Sequence, residues 1–350
     1  MRDRVRPAIV ELTLVRLREF VREPEAMFWV FGFPLLLALG LGIAFRNRAP
    51  ESVRIGVLES VPAAIMASLD SAEGLAVERL ADDSAARQAL RTAGVALVVA
   101  PGPARGVEYR FDPSREDARS ARLLVDDAVQ RGAGRVSPLA VREGIVRERG
   151  ARYIDFFIPG LLALNLMGSG VWSIGFAVVT ARKQKLLKRL VATPMSRAEY
   201  LSSFLLSRLF FLVIEVGVLV GFGALVFDVP VRGSLGTLAL VCLVAALTFS
   251  AIGLLVSSRA RTVEAVSGLA NFVMLPMWIF SGVFFSSANF PDAIQPLIQA
   301  LPLTATADAL RAVMLRGAAL GSAPVWTELV ILLGWLVVPF VVALRIFRWR

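Results

Sequence analysis

Six apolar runs, each long enough to cross a bilayer as a helix, limit what this chain can fold into more than any other feature. They lie at about 27–45, 156–180, 204–227, 235–256, 265–285 and 325–344. Roughly 20 predominantly apolar residues of helix span a membrane core. The chain is 56% hydrophobic, against about 45–50% for an ordinary soluble domain, and the excess sits in these runs. The fold class expected is an α-helical polytopic membrane protein with six transmembrane helices. The first run follows about 26 residues rich in charge and ends in "IAFRNRAP" without a small-x-small site. It is therefore expected to be a retained span rather than a cleaved signal peptide.

Between the first and second runs, residues 46–152 change character to polar, arginine-rich, soluble patterning. "SVRIGVLE", "VALVVAPG" and "VEYRFDP" read as strands. "DDSAARQALRTAG" reads as a helix with Asp82 or Asp83 as N-cap and Gly94 at its end. "PSREDARSARLLVDDAVQRG" reads as an amphipathic helix with Pro113 in its first turn. An α/β domain inserted between spans one and two is expected. The remaining segments are an amphipathic N-terminal stretch (1–26), a basic segment (182–200), a proline-bearing loop (286–323) with a short helix at Ala305–Leu315, and the tail 345–350.

Charge sets the orientation. With six spans, the N-terminus, the 182–197 loop, the 257–264 loop and the tail share one side, and these carry most of the flanking Arg and Lys. The opposite short loop, 228–234, carries only Arg232. The positive-inside rule places the basic set in the cytoplasm, both termini with it. The inserted domain is then extracytoplasmic. Arg46 and Arg48, just past span one, run against this assignment. The formal charge of +10 is explained the same way, because the basic residues flank apolar runs; no nucleic-acid partner is expected. All but three of the 38 basic residues are arginine, the bias of a GC-rich bacterial genome, so the membrane expected is the bacterial inner membrane.

Two absences narrow the chemistry. There is no histidine, which removes His-based triads, general bases and metal ligands. The single cysteine, Cys242, lies in an apolar run, so no intrachain disulfide can form. No Gly-Lys pair occurs anywhere in the chain, whereas a phosphate-binding P-loop needs a Gly-rich turn followed by Lys and Ser or Thr. The chain is expected to be no ATPase by that route and to hold no cofactor or metal of its own.

The three lysines, Lys183, Lys185 and Lys188, all fall in "RKQKLLKRLVATPMSRAEY" (182–200). Leu186, Leu187, Leu190 and Val191 give this segment an apolar helical face. Thr193 precedes Pro194 and so avoids the α region. Ser196 can cap a second helix, with Glu199 at capping-box spacing. Two helices and an elbow form a defined cytoplasmic knob, beyond what a topology anchor requires.

Extended to Leu209, this segment resembles the coupling-helix region of ABC-2 type transporter permeases, also called type V ABC exporters. "REPEAMFWVFGFPLLLALGLGIAF", with Pro34 in mid-span, is similar to that family's first span. "YIDFFIPGLLALNLM" is similar to the entry to its second. "FSGVFFSSANFPDAIQPLIQALPLTATADALRAVM" resembles its fifth span and outer re-entrant helices. The resemblance implies a permease that dimerises, with itself or a related chain, and works with a separate ABC ATPase that holds ATP and Mg. The ATPase contact would fall on Arg182, Lys183, Lys185, Lys188, Arg189, Pro194 and Ser196. It also implies that spans two and five line the dimer's central cavity, which makes Asn165 and Asn271, read as buried amides, candidates for the transport path.

Span three carries Arg208 and Glu215, seven residues apart and so on one face. Arg208, near the cytoplasmic end, can snorkel. Glu215 is deeper, and is open between a pairing inside the bundle and a place on the path. Gly217 and Gly221 make a GxxxG pair suited to close helix packing. Asp308 and Arg311 are spaced for a local ion pair. The function expected is the membrane subunit of an ATP-driven exporter for an unidentified, lipid-like or drug-like, substrate. A membrane-anchored sensor or scaffold acting through the external domain is the alternative, and it would tolerate loss of the basic elbow. An intramembrane hydrolase is disfavoured by the lack of histidine and of Ser/Lys or paired-Asp groups at matching depth.

Overall fold

A computed structural model describes residues 13–15, 17–18, 21–44, 52–103, 106–135, 139, 152–183, 197–260 and 262–346. In chain order its elements are α1 (Pro24–Met27), a π turn (Phe28–Gly32), α2 (Phe33–Ala44), β1 (Val53–Leu58), α3 (Ala63–Asp70), β2 (Leu75–Leu80), α4 (Asp83–Arg91), β3 (Leu97–Pro101), β4 (Val107–Phe111) and α5 (Glu116–Gly132). Then come α6 (Tyr153–Lys183), α7 (Arg197–Phe227), α8 (Leu235–Ser257), α9 (Val263–Phe280), two short 3-10 turns, α10 (Gln295–Gln299), α11 (Pro302–Met314) and α12 (Ala323–Ile346). The chain divides into two compact units, residues 47–146 and the remainder.

The smaller unit is a four-stranded sheet in the order β2-β1-β3-β4, with β1 parallel to both β2 and β3 and β4 antiparallel. Leu97, Val98, Val99 and Ala100 of β3 are all buried, the mark of a strand covered on both faces. Adjacent residues of β4 show which helices do the covering. Tyr109 Oη donates to Asp126 of α5, while Arg110 pairs with Asp83 of α4. Since neighbouring side chains on a strand point to opposite faces, α4 and α5 lie on opposite sides of the sheet. Asp82 is the N-cap of α4, its Oδ1 accepting from the backbone N–H of Ser84 at 3.0 Å and of Ala85 at 2.8 Å. Those bonds, Ala85's first, hold its carboxyl below the usual carboxylate range. Pro113 is not in the first turn of α5, as the sequence suggested. It stands in a preceding turn closed by Asp112, which accepts from the Ser114 N–H at 2.9 Å, and the helix begins at Glu116. An Asx-type turn competes with the helix for those residues.

The larger unit is helical. Among the described residues, five helices are long and apolar enough to cross a membrane: Tyr153–Thr180 within α6, Ser207–Phe227 within α7, α8, α9 and α12. The first apolar helix, Phe28–Ala44, is shorter than these five. Burial ranks them. In α6 and α8, 61% and 56% of the most apolar stretch is buried, against 22% in α7, α9 and α12. The centre of this unit is therefore the α6–α8 pair. Gly170 and Gly253 let the two backbones meet: a Cβ on Gly170 would lie 2.7 Å from Phe249 Cβ, and one on Gly253 2.7 Å from the Val171 carbonyl. Without a hydrophobic force between helices in lipid, such close contact is what holds them.

The expected Gly217–Gly221 contact does not form among the described residues. A Cβ on either residue meets nothing within 4 Å, because these positions lie on the outward side of a helix that is mostly unburied. The fifth apolar helix also stops earlier than its apolar run, at Phe280. Gly282, with φ +72°, takes the left-handed position just past the end, a common helix stop. The chain from Ser281 to Phe285 is irregular. The short helix expected at Ala305–Leu315 is α11, which starts at Pro302, a residue well suited to the first helical turn.

Candidate functional site

Of the residues assigned to coupling, Lys185, Lys188, Arg189, Pro194 and Ser196 lie outside the described residues, so the two-helix elbow is not described. Arg182 and Lys183 form the last turn of α6. The Arg182 guanidinium turns back into the bundle. Nη1 donates to the carbonyls of Ser257 at 2.8 Å and Ala260 at 2.9 Å, and Nη2 to that of Ser258 at 2.8 Å. These carbonyls lie at the end of α8 (Ser257), its C-cap (Ser258) and just past it (Ala260), where the last turn of a helix leaves acceptors without N–H partners and the macrodipole is negative.

Two more arginines do the same for other helices. Arg152, at the start of α6, is held by buried Asp155 through Nε to Oδ2 at 3.0 Å and Nη2 to Oδ1 at 2.7 Å. It donates onward to the carbonyls of Phe227 at 2.7 Å and Asp228 at 3.2 Å, at the end of α7. Arg311 of α11 donates from Nη2 to the Gly282 carbonyl, just past α9, at 2.6 Å. It also reaches Asp308 Oδ1 at 3.0 Å and the Phe156 carbonyl at 3.3 Å, with its guanidinium carbon 3.7 Å from the Phe156 ring centroid. The expected Asp308–Arg311 ion pair is present, but it is one arm of a larger contact. Sequence reasoning missed Arg152 and Asp155. Their signal was an Arg three residues before an Asp at the mouth of an apolar run. These ties fix helix directions. The ends of α7 and α9 meet the start of α6, and the end of α8 meets its end, so successive helices alternate along a rod about 46 Å long.

Near the middle of α6 lies a closed polar ring. Arg208 Nη1 donates to Glu215 Oε2 at 3.1 Å and Nη2 to Ser169 Oγ at 2.9 Å; Ser169 Oγ lies 2.8 Å from Glu215 Oε1. Glu215 is 1% exposed and Ser169 9%. Arg208 therefore pairs inward rather than snorkelling to the surface. Ser169 escaped the sequence reading, although it stands one turn from Asn165 on the same face of α6.

Asn165 is buried, as expected, and has a specific task. Pro34 has no N–H to offer the Val30 carbonyl four residues earlier, and Asn165 Nδ2 donates to that carbonyl at 2.9 Å. The second amide is a correction. Asn271 is exposed, because the buried stripe of α9 runs through Val266, Ala270, Met274 and Met277 and leaves position 271 on the outer face.

Residues 130–315 match the family model described as ABC-2 type transporter, more than half the chain. The chain belongs to the ABC-2 type transporter family. The matched region takes in α6 to α11 and the basic segment with its three lysines. Among similar proteins is ABC transporter G family member 20 of Dictyostelium discoideum, 25% identical over 187 residues, which are 53% of this chain and 26% of that protein. The inner membrane transport permease YadH of Escherichia coli K12 is 28% identical over 159 residues, 44% of this chain and 60% of its own length. The putative transport permease YvfS of Bacillus subtilis is 26% identical over 149 residues, 42% of this chain and again 60% of its own. This ABC-2 chain thus spans between a quarter and about three fifths of the length of these relatives.

Proposed function

We propose that this chain is the permease subunit of an ATP-driven exporter in the bacterial inner membrane. It crosses the membrane six times, with the Phe28–Ala44 helix as the first span and both termini in the cytoplasm. It dimerises with itself or with a related permease, and the dimer encloses a path for a lipid-like or drug-like substrate. A separate ABC ATPase binds ATP and Mg and docks on the cytoplasmic segment. The α/β unit is extracytoplasmic. The observation that carries this reading is the family match over 130–315, which covers four of the five long apolar helices together with the basic segment between α6 and α7. These 350 residues hold no Gly-Lys pair and so no P-loop, which supports placing ATP hydrolysis on a separate ATPase.

In this scheme Lys183, Lys185, Lys188 and Arg189 supply the charge of the docking knob, and Pro194 and Ser196 its shape. Arg182, assigned to the same contact from the sequence, is turned back into the bundle and anchors the root of the knob. Asn271, on the exposed face of α9, and Glu215 are the path candidates; Asn165 is engaged by the first apolar helix. The test is co-expression with an ABC ATPase, purification through the permease, and ATP hydrolysis in liposomes. Changing Lys183, Lys185 and Lys188 together to Glu sets like charges across the interface and should abolish most co-purification, since such contacts cost several kcal/mol. Unchanged ATPase binding by this variant would reduce the lysines to topology anchors.

A further inference from the structure

The last turn of α6 is fastened to two other helices, and the fastening lies at the very start of the basic segment. Arg182 binds three carbonyls of the α8 end, at Ser257, Ser258 and Ala260. Beside it lies a small apolar cluster, separate from the main core, of Val179 from α6, Ala260 from beyond α8 and Val266 from α9, with Val263 packed against it. Gly175 of α6 adds to it: a Cβ there would lie 3.1 Å from Val266 Cγ1. Three helices therefore meet at one end of the bundle through two independent contacts, one polar and one apolar. Neither the α8 end nor the α9 start is near the basic segment in sequence.

We propose that Arg182 is a positioning residue that yokes the cytoplasmic ends of α6, α8 and α9, so that force applied to the basic segment moves the three helices as one block. The proposal rests on the permease reading above. An arginine suits this task for a geometric reason. Its planar guanidinium presents five donors in a fixed fork, enough to engage three carbonyls at once and to resist rotation about any one of them. A lysine ammonium on a flexible stem keeps the charge, which satisfies the α8 dipole, but cannot hold all three acceptors in one orientation. Charge alone would cap the helix; the fork transmits displacement. Arg152 and Arg311 tie other helix ends around the start of α6, where no such segment follows.

The test has two arms, on full-length protein in nanodiscs. The first reads backbone hydrogen exchange at 258–260 and 262–266 in the parent, Arg182→Lys and Arg182→Gln. Losing charge-assisted bonds to three carbonyls should speed exchange there by roughly ten- to a hundredfold in Arg182→Gln, with Arg182→Lys intermediate. The second arm adds the ABC ATPase and MgATP, with an environment-sensitive fluorophore on Leu275→Cys of α9 in a Cys242→Ala background. MgATP should shift its emission in the parent, little in Arg182→Lys, and not at all in Arg182→Gln, although the ATPase stays bound. A short bis-maleimide joining Val179→Cys to Ala260→Cys in the Arg182→Gln protein should restore the response. Parent-like exchange in Arg182→Gln overturns the yoke. Fast exchange with an intact MgATP response reduces Arg182 to a helix cap and overturns its role in transmission. A parent that binds no ATPase and ignores MgATP overturns the permease reading and the transmission role with it, while the exchange arm still reports whether the helices are yoked.

Discussion

Glu215 and Arg208 answer a question that their spacing left open. Both face into the bundle, and with Ser169 they pair through the Arg208 Nη1 and Nη2 donors in a region where water cannot help. A buried ion pair of this kind gives little net stability, yet breaking it is costly because one charge is left behind without a partner. Arg208→Met alone should therefore lower stability by about 3–5 kcal/mol, and Glu215→Gln alone by a comparable amount. The double variant should recover most of the loss, since no uncompensated charge remains. Thermal unfolding of the purified protein in detergent measures this. Losses that simply add would mean that the two groups do not interact. A path role for Glu215 requires this ring to open, so its stability bears on function as well as on folding.

At the scale of elements, the first apolar helix shows how a local break is repaired from a distance. Pro34 removes one backbone donor, a π turn lies just before it, and Asn165 on α6 satisfies the carbonyl that Pro34 cannot. The proline and the asparagine are therefore coupled, though 131 positions separate them in sequence. Asn165→Leu should destabilise the parent by about 1–3 kcal/mol, the cost of a buried carbonyl without a partner. In a Pro34→Ala background the backbone N–H returns and the same change should cost much less. Four thermal melts close this double-mutant cycle. Equal costs in both backgrounds would show that the amide does not serve the proline. Farther along the same helix, Gly42 explains why the end of α2 lies close to α7: a Cβ there would come within 2.5 Å of the Phe227 ring.

Over the whole molecule, the three arginine ties set helix directions without reference to a membrane. The ends of α7 and α9 gather at the start of α6, and the end of α8 at its end. If Phe28–Ala44 spans the membrane as the first of six, the N-terminus and the tail lie on one side, the side of the basic segment. Reporter fusions after Arg22 and at Arg350 should then both report cytoplasm; opposite results would remove the first helix from the count of spans. The open faces of α9 and α12, with Phe272 78% and Val338 63% exposed, are large apolar surfaces compatible with lipid or a second copy.

What the sequence determined by itself was local. The long apolar helices were legible because spanning a membrane depends on the length and polarity of one continuous segment. The strand at 53–58 and an N-cap at Asp82 or Asp83 were legible because period-2 patterning and an N-cap are likewise short-range, and the structure chose Asp82. β2 was not read: "LAVERL" places Glu78 and Arg79 side by side, and this edge strand forms by parallel pairing with β1 across an intervening helix. Tertiary structure decided which face of each helix is inward. It turned Asn271 and the Gly217–Gly221 pair outward, brought Gly170 to Gly253, set Ser169 between Arg208 and Glu215, and carried the Arg182 guanidinium to the end of α8. A helix that is apolar all round carries no moment to say which side is buried. Only packing against its neighbours supplies that choice.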